Sequence, residues 1–345
     1  MIGGTRVGTI TSHQLAEYLD FAKSVAREVV GGVFRDGFWR RGQFASTEAF
    51  DATDKGGNIS DCVTAVDKGV EKMIFCALRQ RFVGEETTAA AVENNQGPAL
   101  YKVTDDPTWI VDPVDGTNNF VHHFPLTAIS IALAINKIPV VGVVYLPVLD
   151  ELYYAAKDMG AFLEVDGQKH QLPLHKPVLT IPSSLSECAV FTEHGSDRDP
   201  KVLEARFSTM QRLMGSQDAV NGGGPYVQNL RMIGAASVNL VYVARGAADL
   251  YLESGPHAWD FAAGAVLVLE SGGAVFDGAG WWGKPEDEHI LKPHNIWRRK
   301  ICAVRYVPQP NAEAVSPNRE CQERLAKELL TFVEDVGFEP DDQVE

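Results

Sequence analysis

Two carboxylates, a glycine and a hydroxyl stand close together in Asp112-Pro113-Val114-Asp115-Gly116-Thr117, directly after the apolar run Trp109-Ile110-Val111. Bulky β-formers of this kind suit a buried strand. The strand is expected to end at Asp112, because Pro113 cannot donate a ladder hydrogen bond. Asp115-Gly116-Thr117 then favours a turn or a helix start, where free backbone N–H groups can meet an anion. Asp112 and Asp115, on either side of that corner, offer hard oxygen donors for a cation such as Mg²⁺, which characteristically brings a phosphate with it. A tight turn closed by an Asx hydrogen bond explains the same string without any chemistry. Alone, the string leaves both readings open.

The longer run W-I-V-D-P-V-D-G-T-N-N-F-V-H-H-F-P, from Trp109 to Pro125, resembles the central motif of the inositol monophosphatase family. Other pieces follow the family's order. Gly84-Glu85-Glu86 matches its G-E-E, and Thr192-Glu193-His194-Gly195-Ser196 is similar to its T-E-x-G-S. Arg231, Gly234, Ala236 and Asn239 fit R-x-x-G-x-A-x-x-N, and the stretch Glu253 to Gly264 fits E-x-G-x-x-x-W-D-x-A-A-G. The likeness runs roughly from residue 12 to residue 334, with extra segments at 89–106 and 217–226.

The resemblance implies an α+β fold, the family's layered α-β-α-β-α sandwich, assembled as a homodimer. It also implies a Mg²⁺-dependent phosphomonoesterase that hydrolyses inositol monophosphate to myo-inositol and phosphate, without a phosphoenzyme. Glu85, Asp112, Asp115, Asp260 and the Val114 carbonyl become metal ligands for two or three Mg²⁺ ions. Thr117, paired with Asp67, becomes the group that orients and activates the attacking water, with Glu85 contributing. Backbone N–H groups of Gly116 and Thr117 hold the phosphate. The remaining substrate contacts carried over are Asp115, Gly195, Ser196, Ala236, Glu253 and Asp260. Lys55, at a loose spacing before Asp61-Cys62-Val63-Thr64, and Glu86, behind Glu85, are further candidates near the metals. Relatives acting on a bisphosphate nucleotide, NADP or fructose 1,6-bisphosphate are the alternative, and a non-catalytic homologue retained for binding is another. Asn118 to His122 and Glu253 favour inositol phosphates, since nucleotide-directed relatives diverge there.

Each of these residues also has a purely structural explanation. Thr64-x-x-Asp67 reads as a capping box, Glu85 and Glu86 as solvated surface acids, and Asp260 as a dipole-favoured group at a helix start. Gly222-Gly223-Gly224-Pro225 resembles a phosphate cradle only superficially, because no Lys-Ser/Thr follows it and no apolar strand precedes it.

The elements that must position these groups follow from periodicity. Leu15, Leu19, Ala22, Val25 and Val29 predict a helix over 12–31, followed by a loop over 32–60 that carries Lys55. Val66, Val70, Ile74 and Leu78 predict a second helix over 64–79. Phe124 to Leu149 is apolar, but Asn136, Lys137, Pro139 and Pro147 break it, so a hairpin with strands near 127–135 and 139–146 is expected rather than a membrane span. Strands are expected at 151–156, 160–165, 189–191, 248–253 and 301–304, and helices at 199–215, from Asp260 to Gly273, and at 317–334. Pro182 and its serine-rich neighbours mark a boundary between an N-terminal α+β domain, 1–180, and a C-terminal α/β domain, 181–345. By the resemblance, the first carries most metal ligands and the second completes the metal and substrate site.

Composition narrows the class. With 345 residues and 45% hydrophobic content the chain can bury a sizeable core. A formal charge of −15 argues against a nucleic-acid partner and leaves a small anionic substrate dependent on metal ions. Five cysteines without C-x-x-C spacing support neither a disulfide framework nor zinc. Met1-Ile2-Gly3-Gly4 lacks both a basic and apolar leader and the glycine of a myristoylation site, so a cytoplasmic protein is expected.

Overall fold

The apolar stretch beyond the central motif folds as the expected hairpin. Strands β5 (Ala128–Ile135) and β6 (Ile138–Leu146) pair antiparallel around Asn136 and Lys137, whose φ values of 52° and 65° lie in the left-handed region. Consecutive left-handed residues give a two-residue turn the twist that antiparallel strands need. The computed structural model describes residues 10–40, 53–55, 58–63, 65–78, 82–88, 104–174, 179–216, 224–311, 316–338 and 341. The 89–106 and 217–226 segments therefore fall largely outside the described residues.

β5 is buried along its whole length, which requires packing on both faces. It lies in a seven-stranded sheet ordered β3 (Phe82–Gly84), β4 (Thr108–Asp115), β5, β6, β7 (Glu151–Ala156), β8 (Ala161–Val165), β9 (Gln168–Gln171). Only β3 and β4 are parallel neighbours in it. One face carries α1 (Ser12–Ser24), a π-helical Val25–Val30, α2 (Gly31–Arg40) and α3 (Ala65–Leu78), with Leu19, Val70 and Ile74 against Trp109, Ile131 and Val143. The first helical run thus continues to Arg40 instead of giving way to a loop at 32. Phe34 and Phe38 hold it by edge contacts with Phe120, at ring separations of 5.1 and 5.7 Å. Beyond it β1 (Thr53–Lys55) and β2 (Asn58–Val63) form a ribbon, so Lys55 belongs to a strand and not to a loop; its side chain and Thr64 lie outside the described residues.

The other face meets α6 (Ala236–Arg245) and α7 (Ala258–Glu270), which are buried nearly all round because a second sheet covers them. Gly142 on β6 lets the Ala263 backbone come close enough to exclude any Cβ. The second sheet runs β11 (Asn229–Arg231), β10 (Ala189–Thr192), β12 (Leu250–Ser254), β14 (Lys300–Val304), β13 (Ala274–Phe276). Its outer face carries α5 (Pro200–Met214) and α8 (Arg319–Thr331), through Leu213, Leu325 and Leu329. The layers therefore alternate α-β-α-β-α, as expected, and one cluster containing Ile110, Val144, Leu240 and Val266 joins both halves of the chain. No helix among the described residues is long and apolar enough to cross a membrane.

Candidate active site

β4 does not stop at Pro113. Its ladder with β5 pairs Asp112 with Ser130, slips, and resumes with Asp115 opposite Ala128. The slip adds one residue to β4, a bulge, and a bulge is where a strand tolerates proline. It also has a chemical consequence. In a regular strand residues three apart face opposite sides, whereas here Asp112 and Asp115 oppose two residues of β5 that share a face. The extra residue therefore turns both carboxylates toward α6 and α7. Within it the Val114 N–H donates to Asp112 Oδ1 at 3.0 Å, so the Asx-type closure coexists with the acid pair.

α6 and α7 present their N-terminal ends to these acids. Asp115 accepts from the Ala236 N–H at 3.2 Å, from the Ser237 N–H at 2.7 Å and from the Ser237 hydroxyl. A helix N-terminus supplies such unpaired donors and favours negative charge. Asp260, in the first turn of α7, accepts from the His257 N–H at 2.6 Å. Asp112, Asp115 and Asp260 each offer a carboxylate oxygen, all within 4.8 Å of one another. Glu85 follows β3, whose Gly84 pairs with Val111, and lines the same cleft. Behind it, Glu71 on α3 accepts the Glu86 and Thr87 N–H groups at 2.7 Å each, fixing the helical turn 85–88.

Asp112, Asp115 and Asp260 lie so close to one another that they resist ionising together. Burial first, then the charges of Glu85, Asp115 and Asp260, hold Asp112 well above the ordinary carboxylate range. Burial and then Asp115 and Glu85 do the same to Asp260. Burial lifts Asp115 to about 6, while the Ser237 and Ala236 donors hold it down. The donors are all hard oxygen and their charge calls for a cation. That combination fits a divalent ion of the Mg²⁺ type rather than one selected by thiolate or imidazole.

Thr117 opens α4 (Thr117–Val121) after Gly116, whose φ of 81° and closeness to Ala235 leave no room for a side chain. The Thr117 hydroxyl lies 3.0 Å from Asp67 Oδ1 and 2.9 Å from the Val114 carbonyl, two acceptors for one proton. Asp67 is fully buried on α3, outside the cleft lining, and Thr117 joins it to the cleft.

The cleft occupies about 850 Å³. Gly195, Ser196, Ala236 and Glu253 also line it, so the structure brings these together with the acids. Glu253 is buried, receives the Tyr251 hydroxyl and is held well above the ordinary range by burial, then by Glu193. Glu86 is buried outside the cleft lining, with its N–H on Glu71. Two groups that motif reading passes over also shape the site. Glu193 accepts the N–H groups of Ile233 and Gly234 at 2.6 and 2.8 Å and the Asn239 amide at 2.9 Å, pinning the approach to α6. Its signal is its own place within T-E-x-G-S. Arg206, on α5, donates to the carbonyls of His194 and of Ser254, the latter at 2.9 Å, and no local pattern marks it.

A family model described as the inositol monophosphatase family matches residues 14–330. The chain belongs to the inositol monophosphatase family. Inositol monophosphatase 2 of Solanum lycopersicum is 39% identical over 274 residues, covering 77% of this chain and 89% of that protein. Inositol monophosphatase 1 of Xenopus laevis is 38% identical over 276 residues, covering 78% of this chain and 80% of that protein. Among solved structures, the extragenic suppressor protein suhB from Bartonella henselae superposes with a TM-score of 0.63 at 24% identity, over 91% of this chain and 98% of that one. The inositol monophosphatase from Anabaena gives 0.62 at 23% identity, over 94% and 98%. These two likenesses show the inositol monophosphatase fold.

Proposed function

We propose that this chain is a Mg²⁺-dependent phosphomonoesterase hydrolysing inositol monophosphate to myo-inositol and phosphate. The observation that carries the reading is the placing of a buried all-oxygen acid cluster beside a hydroxyl already paired with a buried carboxylate. Glu85, Asp112, Asp115, Asp260 and the Val114 carbonyl would hold the metal, in two or three sites. When bound, the metal neutralises phosphate charge and makes water more acidic.

The protein's own groups do the rest. By donating to Asp67 Oδ1, the Thr117 hydroxyl keeps its lone pairs for a water proton, so it orients that water for in-line attack on phosphorus. Asp67 holds the Thr117 proton and makes the hydroxyl oxygen more basic. Backbone N–H groups of Gly116 and Thr117 bind the phosphate oxygens. Glu253, Gly195 and Ser196 receive the polyol hydroxyls. Ala236, its N–H taken by Asp115, adds only its small side chain.

Glu253 offers carboxyl oxygens to polyol hydroxyls, and on that ground a polyol monophosphate is favoured over bisphosphate nucleotides, NADP or fructose 1,6-bisphosphate. Inhibition by Li⁺ competing at a metal site, a homodimer and a cytoplasmic location belong to the same reading, as does the division into lobes 1–180 and 181–345. Phosphate release with Mg²⁺ over inositol 1-phosphate, fructose 1,6-bisphosphate and adenosine bisphosphate tests it. Preference for the first supports the reading, preference for a bisphosphate replaces its substrate, and no turnover of any overturns it.

A further inference from the structure

An aromatic side chain from late in the sequence lines the cleft. Phe338 lines it, and the guanidinium carbons of Arg206 and Arg299 lie 5.7 and 5.1 Å from its ring centroid. Both arginines are fixed by backbone carbonyls, Arg206 by Ser254 at 2.9 Å and Arg299 by Gly255 at 2.9 Å. Gly255, at a φ of 116°, comes close enough to the ring that a Cβ there would stand 3.2 Å from Phe338 Cζ.

Asp341 stands beside Arg299 and the start of α7. Its carboxylate meets His257 Nδ1 at 2.7 Å and accepts the Ala258 N–H at 3.0 Å, while its own N–H donates to the Trp297 carbonyl at 2.7 Å. Arg299 Nε stands 3.9 Å from it. Asp341 thus links Arg299 to the first turn of α7, which presents Asp260.

We propose that Phe338 is a specificity-determining residue whose ring packs against the C–H face of a cyclic polyol, and that Asp341 is a positioning residue that acts on it through Arg299. The inference rests on the phosphatase reading above and deepens it. The ring does not belong to any of the three apolar cores; its neighbours are two cations and a glycine at the edge of a polar cleft. A half-buried phenyl group there offers an apolar surface to the cleft that Glu253 and Ser196 also line. A cyclic polyol phosphate offers both kinds of surface, hydroxyls at its rim and C–H bonds on its faces. A short open-chain ester such as glycerol 2-phosphate offers no such face.

Steady-state kinetics on the full chain with Mg²⁺, using inositol 1-phosphate and glycerol 2-phosphate, separate the possibilities. Phe338→Ala should raise KM for inositol 1-phosphate about tenfold with kcat nearly unchanged, and leave glycerol 2-phosphate turnover intact, which also reports that the fold and metal site survive. Phe338→Trp should restore the preference. Asp341→Asn should weaken it in the same sense, and add nothing in the Phe338→Ala background. Equal loss on both esters, or an unchanged KM for inositol 1-phosphate, overturns the inference alone. A wild type inactive on both overturns the phosphatase reading and the inference with it.

Discussion

Thr117 Oγ1 stands 3.0 Å from Asp67 Oδ1 across 50 positions of sequence, because α3 packs its buried face on β4 just where that strand ends. The pair acts as a unit. Thr117→Ala and Asp67→Asn are each expected to lower kcat about 10²- to 10⁴-fold with little change in KM, the range for a positioned proton acceptor. The double variant should be barely worse than either single one. Losses that multiply in the double variant would show that the two groups act separately.

The raised carboxyls of the acid cluster make stability depend on pH in a definite direction. A carboxyl whose folded pKa exceeds its unfolded value, about 3.9 for Asp, contributes stability that is full below that value and is lost as pH rises through the folded pKa. For Asp115 the window runs from about 4 to about 6, and for Asp112 and Asp260, held well above their ordinary range, it extends higher. Metal-free Asp112→Asn should therefore melt above metal-free wild type near neutral pH, with the gap closing toward pH 4. Mg²⁺ should raise the wild-type Tm far more at neutral pH than at about pH 5, since it competes with those protons. A gap that widens on acidification would contradict the sign.

Ser237 donates to Asp115 through both its N–H and its hydroxyl, so the hydroxyl can be removed without touching the backbone donors. Ser237→Ala is expected to weaken Mg²⁺ about 10- to 100-fold, as loss of a group supporting a metal ligand does. The concentration of Mg²⁺ giving half-maximal activity reads this directly. An unchanged value would mean that the helix N–H groups alone orient Asp115.

The acids were legible because each lies in a short motif with a distinctive neighbour, glycine after Asp115 and tryptophan before Asp260. What brings Asp112 and Asp115 to one face was not. Pro113 says only that the ladder is interrupted, while the resumption at Asp115 depends on the β5 partner. The glycines after residue 30 read as helix breakers, yet the helical run continues to Arg40. Gly31 is small because a Cβ there would meet the Tyr145 ring at 2.7 Å, and Phe34 and Phe38 hold the run from the core side. Packing overrides local propensity at such positions. Arg206, Glu71, Phe338 and Asp341 act through partners distant in sequence and in no shared pattern. The layer order came from the family resemblance alone; strands such as β5 and β6, apolar on both faces, say only that each needs cover on both sides.

His294 offers a test of stability away from the cleft. Both of its ring nitrogens are buried, although the residue as a whole is half-buried, and burial lowers its pKa to about 4 against a smaller opposing effect of the Lys300 backbone. A histidine depressed in the folded state costs stability as pH falls from about 6.5 toward about 4, because the unfolded chain binds the proton first. His294→Leu should therefore raise Tm, and by more at about pH 5 than near neutrality. A variant less stable than wild type at both values would mean that the imidazole's packing outweighs the cost of burying its polar ring.

The central claim is that Asp112 holds a catalytic metal and not merely a turn. The measurement that tests it is phosphate release from inositol 1-phosphate, titrated with Mg²⁺, for wild type and Asp112→Asn side by side with their unfolding curves. The account predicts Mg²⁺-dependent turnover in wild type. It also predicts a loss of several kcal/mol of transition-state stabilisation in the variant, on the order of 10³-fold or more, with cooperative unfolding retained. Turnover in Asp112→Asn close to that of wild type would contradict it.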